Sequence, residues 1–455
     1  MAAAKLPELA IRTFEHHFRL LGQGETGLLG EQDIQPVTDV PDAAALAGYR
    51  QAGEAALGQC AVVKLNGGLG TSMGLNSAKA LLPARANHSF LDLIAQQVLY
   101  WRRQSGHALP LLLMNSFATE SDSLRALDAY PDLPAGQHGV PLSFLQHRVP
   151  RLDPETLQPV RWPDEPRREW CPPGHGDLYT ALVTSGLLET LLQHDVRYLF
   201  VANADNLGAT LDLDILGFIA SERIPFLMEV TDRTAADRKG GHLARDQRGG
   251  LLLRESAQCP PDDLDHFQDI ERHRYFNTNN LWLDLDALAD AMHSRDGILG
   301  LPLMRNLKHV VPDDPATPLV IQVETAMGAA INVFNNAQVV RVPRTRFAPV
   351  KTTSDLLVLW SDRYQLDRSG TVSPQTQRPI EVALDPRWYA SIDAFRARFP
   401  AGAPSLIDAD MLSVSGDIRF SGDVTVRGTV RLRNDSNTTR VIAAGTCLED
   451  LIEDD

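Results

Sequence analysis

Short apolar runs alternate with segments of helical period from about residue 58 to 355. The runs AVVKL (61–65), LPLLLMNS (109–116), VRYLFVANAD (196–205), IPFLMEVT (224–231) and NNLWLDL (279–285) read as strands. FLDLIAQQVLYWRRQ (90–104) and LYTALVTSGLLETLLQH (178–194) read as helices, as does an amphipathic segment over 6–21 that Gly22 ends. Several of the strand runs are apolar throughout rather than alternating. That pattern belongs to strands covered on both faces, so an α/β fold with a sheet between helices is expected. In such folds ligands sit beyond the carboxyl ends of the strands.

The pattern changes after residue 349. A helix is expected near 354–363, then a connector containing proline and arginine. Beyond it GDIRFS, GDVTVR and GTVRLR (416–433) form three consecutive units of one length. Gly416, Gly422 and Gly428 recur, and the pairs Ile418/Phe420, Val424/Val426 and Val430/Leu432 keep the same offset. A hexapeptide repeat with paired inward residues predicts a short parallel β-helix, with a plain antiparallel meander as the alternative. Its open ends allow a homo-oligomer built end to end. The expected divisions are an N-terminal helical segment (1–57), an α/β domain (58–360), a connector (361–400) and the β-helix (401–455).

Composition adds exclusions. The 455 residues are 44% hydrophobic and 22% charged, ordinary for a globular protein. No apolar run is long enough for a membrane span. The N-terminus has no signal-like apolar region, and Glu8 and Glu15 argue against a transit peptide. Cys60, Cys171, Cys259 and Cys447 are scattered without metal-like spacing, as expected of reduced thiols in a cytoplasmic protein. A net charge of −15 argues against nucleic acid as a partner. A small polyanionic ligand would need cations concentrated locally, and RVPRTRFAPVK (341–351) supplies Arg341, Arg344, Arg346 and Lys351 with no acid among them.

The densest chemistry follows the first strand, in KLNGGLGTSMGLNSAK (64–79). It is neither a Walker loop, since no GK pair follows Gly74, nor a dinucleotide fingerprint, since Met73 stands where glycine or alanine is required. Glycine-rich backbone after a strand still favours an anion, because exposed N–H groups can approach phosphate oxygens.

This segment resembles the signature of the UDP-sugar pyrophosphorylase family. The resemblance continues through FLDLIAQQ (90–97), LMNSFAT (113–119), PPGHGDLY (172–179), FVANADNLGATLDLDIL (200–216), EVTDRTAADRKGG (229–241), FNTNNLW (276–282), IQVETAMGAAI (321–331) and VPRTRFAPVKTTSDLL (342–357). It covers about residues 64–357 in family order. It implies a Rossmann-like nucleotidyltransferase with a mixed sheet between helices and a left-handed C-terminal β-helix. The implied reaction joins UTP and glucose 1-phosphate, giving UDP-glucose and pyrophosphate with Mg2+ as cofactor. A broader UDP-sugar or N-acetylhexosamine 1-phosphate preference is the alternative. Asn66, where N-acetylhexosamine relatives tend to have alanine, favours the glucose type.

By the same resemblance Lys351 and Lys79 are the catalytic cations. Leu65, Asn66, Gly67, Gly68, Lys79, Gln146, Gly174, Asn203, Asp205 and Lys351 would contact the nucleotide, with Gln146 reading uracil and Asp205 holding the metal. His175, Gly241, Asn277, Thr278, Asn279, Asn280 and Glu324 would contact the sugar. Two departures from the family are Ala78 and Ala80, which flank the motif lysine where proline and serine are usual. The charged, proline-bearing tract 151–171 is expected to be a surface excursion.

Overall fold

A mixed sheet of ten strands lies at the centre of the computed structural model, which describes residues 1–453 other than 86, 138, 312–313 and 377. Cys60–Asn66 runs parallel to Leu111–Asn115 on one side and to Tyr198–Asn203 on the other. Ser143–Leu145 continues the parallel part beyond Leu111–Asn115. On the far side Tyr275–Asp284 is antiparallel to Tyr198–Asn203 and to Phe226–Asp232, and Gln338–Arg341 lies parallel to Phe226–Asp232. The strand order therefore reverses at Cys60–Asn66, and that reversal opens a crevice at its carboxyl end.

Alternation along each strand explains the continuous apolar runs. Val62, Leu111, Leu113 and Phe200 enter one core, while Ala61, Val63, Leu112, Leu199 and Val201 enter the other. Both sides of the sheet are dry, so no polar face is needed. Phe90–Ser105 packs on the first side behind a capping box of Ser89 and Asp92.

Four features differ from the sequence pattern. The helix expected over 178–194 is two helices, Asp177–Thr184 and Leu187–Gln193, separated at Ser185 and Gly186. Leucines on both pieces face the core, so the periodicity hides the break. The strand expected from 279 begins at Tyr275, which puts the FNTNN amides inside the sheet at a register shift rather than after a strand. The excursion 151–171 is anchored: Leu152 is fully buried and pairs with Ile321, and Val149–Pro150 closes against Trp170–Cys171. The second and third hexapeptides form one strand, Thr425–Asn434, rather than two.

In the C-terminal region Ser405–Gly416, Thr425–Asn434 and Cys447–Glu449 stack in parallel, as do Ile418–Phe420 and Arg440–Ile442. Glu381–Leu384, from the expected connector, adds a parallel strand to the first stack. All six repeat residues expected to point inward are buried. They share one continuous core with the first side of the central sheet.

Candidate active site

The crevice is a cleft of ≈ 320 Å³. Its walls come from three strand ends and one loop: Leu65, Asn66, Gly67 and Gly68 at the end of the first strand, Gln146 after Ser143–Leu145, Asn203 and Asp205 at the end of Tyr198–Asn203, and Gly174 and His175 from PPGHGD. Lys79 closes it from the glycine loop. The loop folds back so that the Lys79 N–H donates to the Gly68 carbonyl, 3.1 Å. This brings the lysine to Asp205, where Nζ lies 2.6 Å from Oδ2.

Lys351 reaches the same end of the sheet by a different route. The Val350 N–H donates to the Asp205 carbonyl at 3.3 Å, and Pro349 bridges Asn206. Thr352 and Asp355 form a capping box for the helix Thr353–Trp360, and the Lys351 N–H also donates to Asp355. Lys351 is thus exposed at a helix start, where the helix dipole adds positive potential. Its side chain is not part of the cleft wall.

The arginines of the basic run are committed elsewhere, a correction to the expected cation cluster. Arg341 pairs with Asp232 and Asp42, Arg344 with Asp237, and Arg346 with Glu229. Glu229 is fully buried and also accepts from Asn280 and Trp282. Burial alone would raise its carboxyl, but the Arg346 guanidinium and these hydrogen bonds hold it below the usual range. The network supports the Lys351 segment from beneath: Asn206 donates to the Arg346 carbonyl and to Asn280, and accepts from the Ala348 N–H.

Both Gln146 and Gly174 line the cleft. The Gln146 side chain lies across Gly67, where a Cβ would come 2.6 Å from its Nε2. Gly174 has φ +80, and a Cβ there would strike the Thr325 carbonyl at 2.4 Å. Half-buried His175 accepts from the Met327 N–H through Nδ1. Burial pushes its imidazole down to about 4, so the ring is neutral and Nε2–H remains a donor.

Several expected contacts are consumed structurally. Asn66 spends both side-chain amide hydrogens on Asn115 and Ser123, so its side chain cannot donate to a ligand in the cleft. Thr278 donates to the Glu229 carbonyl, and Asn280 is held in the Glu229 network. Glu324 has Lys308 at 3.8 Å on the adjacent strand. Asn277 and Asn279 bond one another at the bulge.

One residue was missed by the motif reading. Glu255 faces Gly241 closely enough that a Cβ there would meet its Oε2 at 2.5 Å, and Asn277 hydrogen-bonds it. Burial pushes the carboxyl up to about 7. The signal was a hairpin: His242 pairs with Arg254, so Gly241 must oppose Glu255. The short helix Met327–Asn332 joins this group to the cleft, with Met327 on His175 and Gly328 against Asn277.

The family model described as UTP–glucose-1-phosphate uridylyltransferase matches residues 11–427. The probable UTP–glucose-1-phosphate uridylyltransferase of Schizosaccharomyces pombe is 39% identical over 403 residues, 87% of this chain and 77% of that protein. The enzyme of that name from Solanum tuberosum is 39% identical over 86% of this chain and 80% of its own. Among solved structures, the UDP-glucose pyrophosphorylase of Leishmania major, described in open and closed forms, superposes with TM-score 0.90 at 41% identity over 99% of this chain and 96% of that one.

Proposed function

The chain belongs to the UTP–glucose-1-phosphate uridylyltransferase family, and from that premise we propose how its residues move a uridylyl group. The reaction joins UTP and glucose 1-phosphate to give UDP-glucose and pyrophosphate. A phosphate oxygen of the sugar ester attacks the α-phosphorus in line as pyrophosphate leaves. The second pKa of a phosphomonoester is about 6, so this nucleophile is ionised at neutral pH and no general base is needed. The barrier lies in bringing two polyanions together and holding them in line.

What supports this reading is the Lys79–Asp205 pair at 2.6 Å, together with the Val350 N–H on the Asp205 carbonyl one residue before Lys351. Lys79 grips the triphosphate from the glycine loop, whose backbone N–H groups share the task. Lys351 neutralises charge at the α-phosphate. Gln146 and the Gly174 backbone read uracil. His175 donates Nε2–H toward the sugar phosphate, and Gly241, Glu255 and the unspent side-chain NH2 of Asn279 take the glucose hydroxyls. Amides and a carboxyl suit hydroxyls that both donate and accept.

The residues also fit a magnesium ion. Asp205 is a carboxylate on the cleft wall, and Mg2+ in phosphoryl-transfer sites commonly takes one or two carboxylates plus substrate phosphates. Asp205 would hold the ion, which when bound supplies charge neutralisation on the phosphates. The stacked parallel strands at the C-terminus support a short left-handed β-helix, whose last coil offers an open edge to a second copy. No helix among the described residues is long and apolar enough to cross a membrane, and the four cysteines are free thiols. The free thiols suit the cytoplasmic setting proposed for the enzyme.

A pyrophosphate-release assay tests the reading. With UTP and magnesium, glucose 1-phosphate should turn over far faster than galactose 1-phosphate or N-acetylglucosamine 1-phosphate, and chelation should abolish release. Comparable rates on the N-acetylated sugar would favour the broader specificity instead.

A further inference from the structure

A glutamine that contacts a base does not by itself choose uracil over cytosine. Its amide presents a donor and an acceptor side by side, and half a turn about its last bond exchanges them. Uracil and cytosine differ by the same exchange at the pyrimidine edge. Selectivity therefore requires the amide to be held in one position, and the holder matters as much as the reader.

The structure braces the main chain that carries this amide, and so sets where the amide meets a base. The residue after Gln146 is His147, whose N–H donates to Asp177 Oδ2 at 2.6 Å. Its ring Nδ1 lies 2.9 Å from Oδ1 of the same carboxylate. With Nδ1 donating, Nε2 accepts from the Thr184 hydroxyl at 3.0 Å. The two side chains are only 8% and 5% exposed. Gln146 is fixed from its other side by its own N–H, which donates to the Asn115 carbonyl at 2.8 Å. Asp177 opens a helix two residues after His175, so one carboxylate ties the base wall to the loop carrying the sugar-side donor.

Packing alone does not hold this wall. Behind His147 and Asp177 lies a cavity of ≈ 40 Å³, lined farther back by Phe14 and His17 of the N-terminal helix. A strand end backed by a void can recede, so the hydrogen-bonded pair must supply the stiffness. Burial pushes the Asp177 carboxyl up against the pull of His147, so this brace costs the fold something to keep.

We propose that Asp177 and His147 are positioning residues for pyrimidine choice, holding Gln146 so that the site takes a nucleoside triphosphate with a 4-oxo rather than a 4-amino pyrimidine. This rests on the reading of Gln146 as the base contact. The test measures kcat/KM for UTP and for CTP, with glucose 1-phosphate saturating, in the full-length chain and its variants. Asp177→Ala should lower the UTP/CTP ratio by about tenfold or more, mainly through KM for UTP, with kcat within about threefold. Asp177→Asn keeps an acceptor for the His147 N–H and should hold the ratio within about threefold. Should Asp177→Ala not fold, His147→Ala should show the same fall in smaller degree. Gln146→Ala is the control. If it collapses the ratio while folded Asp177→Ala or His147→Ala leaves it unchanged, the positioning role is overturned and the base reading stands. If Gln146→Ala leaves the ratio unchanged, the base reading itself fails and takes this inference with it.

Discussion

At the scale of single residues, Glu255 makes the sharpest quantitative statement. Its carboxyl is pushed from 4.5 to about 7 by burial beside Gly241 and Asn277. Between those values the folded chain keeps a proton that the unfolded chain releases, so this residue's contribution to stability falls as pH rises from about 4.5 to 7 and is level above. Glu255→Gln removes that slope. In urea unfolding the variant should gain on the parent by ~2–3 kcal/mol between pH 5 and pH 8. An unchanged difference between the two proteins across that range would place the carboxyl in a wetter setting than the structure gives it. The same variant should raise KM for glucose 1-phosphate, because a carboxylate acceptor for sugar hydroxyls has been lost.

At the scale of elements, the segments bearing the two lysines are fastened together away from the cleft. Arg85, just beyond the Lys79 turn, donates to the carbonyls of Leu359, Trp360, Ser361 and Tyr364 at the end of the Thr353–Trp360 helix. The Trp360 indole donates back to the Pro83 carbonyl. The carbonyls of Leu359 and Trp360 are acceptors that the helix end leaves unpaired. Lys351 stands at the other end of that helix, so the clamp sets its distance from Lys79. Arg85→Ala should cost ~2 kcal/mol in thermal or urea unfolding and lower kcat more than KM. Arg85→Lys should not restore either, since one ammonium cannot span four carbonyls. A folded Arg85→Ala enzyme with normal kcat would show that the clamp serves stability alone. None of this was legible in the sequence, where Arg85 belongs to no motif. The strands, the glycine loop and the six inward repeat residues were legible, because periodicity and turn chemistry are local. The arginine run was misread for the opposite reason: its partners Asp42, Asp232, Asp237 and Glu229 lie far off in sequence. The FNTNN amides suffered likewise, since only the sheet register reveals that Thr278 and Asn280 are spent on Glu229.

For the whole molecule, the C-terminal stack is not an appendage. One core runs from Leu46 through Leu356 and Phe395 to Leu448, so the repeat region braces the side of the central sheet that carries the helix behind Lys351. A chain of net charge −15 must nevertheless receive a triphosphate and a sugar phosphate. With Arg341, Arg344 and Arg346 neutralised within the fold, the proposed mechanism gives that task to Lys79 and Lys351. Lys351→Ala therefore tests the central claim most directly, by titrating UTP binding calorimetrically and following single-turnover pyrophosphate release on the same preparation. UTP affinity should stay within about tenfold of the parent while turnover falls by ~10²–10³ or more. Turnover near the parental rate, with binding intact, would contradict the convergence of the two lysines on one nucleotide.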